Sequence, residues 1–161
     1  MSGFHTKTFI QHDDYMTPHS AWEAIKDYIP KDKIIWEAFY GDGTSGNILT
    51  ELGFRVIHNG NDFFESNEGE VVVSNPPFSK KKEVLQRLKE LDKPFILIMP
   101  QNTLNNNYIR ELFNGEMQII VPRRRIQFLK NGEDNHPKKC NFDCFYFCYK
   151  IGLNNDLVFL Y

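Results

Sequence analysis

The sequence predicts an α/β fold built on a mostly parallel sheet, with an antiparallel edge at its C-terminal end. Apolar or β-branched runs at 34–39, 54–57, 71–73, 95–99 and 117–121 are strand-sized, and helical segments separate most of them. A glycine-rich turn, Gly41-Asp42-Gly43-Thr44-Ser45-Gly46, follows the first run. The last two runs, 142–150 and 157–161, are joined only by the turn residues Asn154-Asn155-Asp156, which suits antiparallel strands.

Each element has its own signal. Thr17-Pro18 predicts a helix start, with Thr17 as N-cap and proline at the first helical position. Trp22, Ile25, Tyr28 and Ile29 then make one apolar face, ending before Pro30. After the strand at 34–39 and the glycine loop at 41–46, residues 47–52 form a short helix closed by Gly53. Residues 54–57 and 71–73 form the second and third strands, 81–91 a helix, and 95–99 a fourth strand. A loop and helix over 101–113 lead to the fifth strand at 117–121. Arg123-Arg124-Arg125 then opens a segment that crosses a polar loop, 130–141, into the final pair of strands.

At 161 residues the chain is expected to form one domain, 1–161, large enough to bury a core without staples. Hydrophobic residues at 41% and charged residues at 25% place it among globular rather than disordered or membrane chains. Residues 1–16 carry no signal-like apolar run, and the longest apolar stretches are strand-sized, so a cytoplasmic protein is expected.

The net charge of −2 conceals an asymmetry. Residues 1–78 hold 5 Lys/Arg against 12 Asp/Glu, whereas residues 79–139 hold 13 against 7. The excess is bunched at Lys80-Lys81-Lys82, Arg123-Arg124-Arg125 and Lys138-Lys139. One such cluster alone is an ordinary solvated face. Three of them downstream of one candidate site favour a polyanion, so Lys80, Lys81, Arg123, Arg124, Arg125, Lys138 and Lys139 are candidate nucleic-acid contacts.

Cys140, Cys144 and Cys148 do not suggest a metal site. On a strand Cys144 and Cys148 share a face but lie roughly 13 Å apart, too far for a disulfide or one zinc. No Cys-x-x-Cys pair exists, and buried thiols in a reducing compartment are the expected state.

The chemistry centres on Ser74-Asn75-Pro76-Pro77-Phe78, directly after the run 71–73. Two prolines fix φ near −65° and remove two backbone donors, which leaves carbonyls there to accept. Asn75 adds an amide oxygen and Phe78 a flat face. Together they can accept both protons of an exocyclic amino group and clamp its ring. The glycine loop lets backbone approach a cofactor closely, but is shared by dinucleotide and S-adenosylmethionine sites. A nicotinamide enzyme would carry an acid at the end of the second strand. Here that end reads His58-Asn59-Gly60-Asn61, so that class is set aside.

Taken as Trp36-Glu37-Ala38-Phe39-Tyr40-Gly41-Asp42-Gly43, then Asn61-Asp62-Phe63-Phe64, then Ser74-Asn75-Pro76-Pro77-Phe78, the chain resembles small DNA adenine-N6 methyltransferases of the phage-encoded type. Upstream, Asp13-Asp14-Tyr15-Met16-Thr17-Pro18 is similar to the Asp-x-x-Thr-Pro element of these enzymes. The resemblance covers roughly residues 12–80 and implies a Rossmann-like, S-adenosylmethionine-dependent methyltransferase fold. It further implies that Phe39 and the Asp13–Pro18 element, with Asp14, Tyr15, Thr17 and Pro18, border the methionine end of the cofactor, and Glu37 is a further candidate at the cofactor site. Gly41 and Gly43 would pass under it, and Asp62 and Phe63 would reach the adenosine. Asn75, Pro76, Pro77 and Phe78 would hold the target adenine, with Asn75 also lining the cofactor site. For Glu37 two roles stand open, orienting a cofactor contact or capping the glycine loop.

Two departures from the family pattern stand out. Only residues 59–70 separate the second strand from Val71, so the usual helix–strand–helix does not fit and the second strand is expected at the sheet edge. There is also no inserted target-recognition domain, which leaves the loops at 101–115 and 122–141, a dimer or a partner subunit to read sequence. The same turn serves enzymes that methylate RNA bases or a protein glutamine, and a catalytically inactive nucleic-acid-binding subunit is a further alternative.

Overall fold

The computed structural model describes residues 15–130 and 143–161. Its centre is a pair of strands buried on both faces, β4 (Val71–Ser74) and β5 (Phe95–Pro100). Their unbroken apolar runs are what a doubly covered parallel sheet requires. Beside β4 lie β2 (Ile34–Trp36) and then β3 (Arg55–Ile57), all parallel. On the other side of β5 come β8 (Cys144–Tyr149), β6 (Met117–Val121) and β9 (Leu157–Phe159). The seven-stranded order is β3-β2-β4-β5-β8-β6-β9.

The antiparallel strand falls in the C-terminal half of the sheet, as expected, but β8 lies between β5 and β6 rather than beside β9. β9 pairs with β6 in parallel and forms the rim. Both faces of β8 are largely buried, which an inner position demands. Cys144, Tyr146 and Cys148 join one core, and Phe147 and Tyr149 the other. Cys144 and Cys148 are buried, and Cys140 lies outside the described residues.

Alternation along the strands builds two layers of core. Val71, Val73, Ile96 and Ile98 face α1 (His19–Glu23) and α2 (Thr44–Glu51), which contribute Trp22, Ile48 and Leu49. Val72, Phe95, Leu97 and Met99 face α3 (Lys81–Leu91) and α4 (Asn107–Phe113), which contribute Val84, Leu85, Leu88, Ile109 and Phe113. The chain is thus a three-layer α/β/α fold.

β3 is the sheet edge, as the short spacing predicts. Where a longer crossover would stand, the segment 58–70 folds back onto β2. Glu70 N donates to the Ile34 carbonyl (2.7 Å) and Ile34 N to Glu70 Oε1 (2.9 Å). Lys93 Nζ donates to the Gly69 carbonyl (2.9 Å). Gly69 sits at φ +65, and a Cβ there would come within 2.9 Å of the Trp36 Cβ.

Two local expectations are corrected. Helix α2 begins at Thr44 with Gly43 as its N-cap, so Gly46 lies inside the helix rather than in the loop. A Cβ on Gly46 would meet His58 at 2.3 Å, so this third glycine sets helix-to-strand packing. Pro18, not Thr17, is the N-cap of α1 (φ −73, ψ 157), because the Thr17 hydroxyl is engaged elsewhere.

Candidate active site

The turn at residues 74–78 hangs from the C-terminal end of β4, next to the end of β2, where open α/β sheets hold their ligands. Asn75 Nδ2 donates to Thr17 Oγ1 at 2.8 Å. The other end of that amide, Oδ1, is buried and accepts no hydrogen bond from a described residue. The Pro77 carbonyl is taken by Lys80 N (3.0 Å), which closes the short turn Phe78–Lys80. The Pro76 carbonyl accepts no backbone hydrogen bond from a described residue, so consecutive residues of the turn carry two acceptors. Phe78 is half-buried against the α1/α2-side core.

Glu37 joins the glycine loop to this turn. It is 2% exposed, and its two oxygens are divided. Oε1 accepts from Phe39 N (3.1 Å) at the loop entrance, and Oε2 accepts from Ser74 Oγ (2.6 Å), one residue before Asn75. Burial pushes the carboxyl up to about 8, against the two hydrogen bonds that lower it. Glu37 therefore ties both halves of the site together, and Ser74, which the motif reading passed over, is its partner. Ser74 had a weak signal in sequence, as a hydroxyl directly after three valines.

The loop itself is a tight turn, with Gly43 N donating to the Tyr40 carbonyl (2.8 Å) and φ of +59 at Gly41 and +86 at Gly43. Asp42 Oδ1 accepts from Thr44 N (2.9 Å) at the start of α2. Over Gly41 passes β1 (Tyr15–Met16), paired antiparallel with β7 (Leu129–Lys130). The Met16 Cε lies 4.0 Å from the place of a Gly41 Cβ. The same two-residue strand delivers Thr17 to Asn75 and ties the segment after the arginine run to the site.

An aromatic wall lines the β3 side. Phe63 is fully buried and backs Phe39 (centroids 4.8 Å apart) and Trp36 (5.4 Å), so it offers no face of its own. Phe64, half-buried and edge-on to Phe63 at 5.1 Å, is the more accessible ring, and the Asp62-Phe63-Phe64 run gave no reason to prefer it. Asp62 Oδ1 caps this turn by accepting from Phe64 N (2.9 Å). At the end of β3, where an acid is absent, the His58 ring stacks on Tyr40 (5.8 Å, 16°).

Of the candidate cations, Lys80, Arg123 and Arg124 are exposed, and Lys81 is half-buried, with burial lowering its pKa. Arg125 is ion-paired with Asp143 at 2.8 Å. Ile126 and Phe128 anchor this segment in the core. Asp14, Lys138 and Lys139 lie outside the described residues.

The chain is similar to the crystal structure of a dimethyladenosine transferase from Plasmodium falciparum, with a TM-score of 0.50 and 14% sequence identity. The match covers 84% of this chain and 62% of that one, so this chain spans less than two thirds of its neighbour's length. The likeness is one of fold. No protein-family model matches the chain, and no curated protein sequence does. No helix among the described residues is long and apolar enough to cross a membrane.

Proposed function

We propose that this protein transfers a methyl group from S-adenosylmethionine to the exocyclic N6 of adenine in DNA. The observation that carries the reading is the Asn75 amide. Its donor end is satisfied by Thr17, while its acceptor end is buried without a partner among the described residues, one residue before the Pro76 carbonyl. Such an orphaned acceptor costs about 1–3 kcal/mol and is kept where a ligand uses it.

The residues present fit the cofactor. Gly41 and Gly43 form a backbone cradle, with the buried Glu37 carboxyl at its entrance and the first turn of α2 behind it. S-adenosylmethionine, when bound, supplies an electrophilic methyl on a sulfonium sulfur. The chain's own groups prepare the nucleophile. Asn75 Oδ1 and the Pro76 carbonyl accept the two N6 hydrogens, which favours a tetrahedral nitrogen with its lone pair out of the ring plane. Phe78 supplies a flat face for the base, which must leave the stack if the substrate is duplex. Positioning and the two acceptor dipoles supply the rate gain, with no strong base. Lys80, Lys81, Arg123, Arg124, Lys138 and Lys139 supply phosphate contacts.

Calorimetric titration with S-adenosylmethionine and S-adenosylhomocysteine tests the cradle. Micromolar binding of both supports the reading, and absence of binding to either contradicts it. RNA is the second reading, favoured by the structural neighbour, whose name refers to dimethyladenosine, a ribonucleoside. Competition between matched DNA and RNA oligonucleotides for one methyl donor separates the two.

A further inference from the structure

The Asn75–Thr17 contact has a direction that matters. A side-chain amide has two ends of nearly equal shape and opposite polarity, and its terminal torsion is broad and roughly two-fold. Rotated by half a turn, Asn75 would present an N–H donor where Oδ1 now stands, and a donor cannot accept from an adenine amino group. The partner of the other end therefore decides whether this turn can work.

That partner is Thr17, 4% exposed and 58 residues away in sequence. The pairing of β1 with β7 brings it to the turn, and the extended backbone at Pro18 holds it outside α1. One feature favours the observed sense. In the reverse sense the buried, unpaired group would be an NH2 with two protons, which structures tolerate less well than an unpaired oxygen.

We infer that Thr17 is a positioning residue, whose hydroxyl oxygen holds the Nδ2 end of the Asn75 amide and so turns Oδ1 toward the substrate amino group. This rests on the reading of the turn as the amino-group clamp. It reassigns Thr17 from lining the cofactor to setting the polarity of the catalytic acceptor.

The first test needs neither cofactor nor substrate. The Asn75 NH2 pair is assigned in 1H–15N spectra by its loss in Asn75→Ala. In the wild type and Thr17→Ser this pair is expected to exchange slowly with solvent, and in Thr17→Val, or Thr17→Ala, about tenfold or more faster. Unchanged protection in Thr17→Val and Thr17→Ala overturns the inference. The second test is a double-mutant cycle on single-turnover methyl transfer. Thr17→Val is expected to slow transfer about 10- to 100-fold, with Thr17→Ser restoring most of it and oligonucleotide affinity little changed. In an Asn75→Asp background the effect is expected to shrink to about threefold or less, because a carboxylate has no donor end. Equal losses in both backgrounds mark Thr17 as merely structural. If even the wild type methylates neither DNA nor RNA, the functional reading fails, and amide protection still decides the Thr17 contact.

Discussion

Asn75 holds a buried oxygen with no partner among the described residues, and Glu37 holds a buried carboxyl whose two partners belong to different motifs. The first was legible in sequence, because Asn-Pro-Pro-Phe states its own chemistry. The second was not, because the contact between Glu37 and Ser74 depends on the register of β2 on β4, where Trp36 lies opposite Val72. Asn75→Ala is expected to lower methyl transfer by about 10²-fold or more while leaving S-adenosylmethionine affinity nearly intact, as read by single-turnover kinetics and calorimetry. Asp62→Ala has the opposite profile. It removes the cap on the Phe64 turn and weakens cofactor affinity, with a smaller effect on the transfer step at saturation.

At the scale of elements, the segment 58–70 replaces a longer crossover, and its return onto β2 leaves room for no side chain at Gly69. Gly69→Ala is expected to destabilise the protein by about 1–3 kcal/mol in urea unfolding, from positive φ and the clash with Trp36 together. The edge position of β3 could be foreseen from spacing alone, since twelve residues cannot carry a helix, a strand and another helix. The inner position of β8 could not. Its aromatic residues suit any strand buried on both faces, and its neighbours are set by long-range pairing with β5 and β6. Thr17-Pro18 shows the same limit. Local capping rules favour Thr17 as N-cap, and a tertiary contact with Asn75 overrides them.

For the molecule as a whole, two dependences follow from charge. Burial holds the Glu37 carboxyl at about 8, above its ordinary 4.5, so the folded protein keeps a proton that the unfolded chain releases. This contribution to stability is complete below pH 4.5, falls as pH rises through the window to 8, and is gone above it. Urea unfolding of the apo protein is expected to show stability declining by up to about 1.4 kcal/mol per pH unit in that window, with Glu37→Gln flattening the slope. The basic segments beyond Phe78 add a salt dependence. Replacing Lys80 or Arg124 by Gln is expected to reduce the slope of log affinity against log salt for an oligonucleotide by about one each, as fluorescence anisotropy would read.

The most direct measurement is methyl transfer from labelled S-adenosylmethionine to unmethylated DNA, with the product digested to nucleosides and Asn75→Ala run beside the wild type. The account predicts label in N6-methyldeoxyadenosine with the wild type and none above background with the variant. Label in another nucleoside, equal label with Asn75→Ala, or no incorporation by a wild type that binds the cofactor would contradict it.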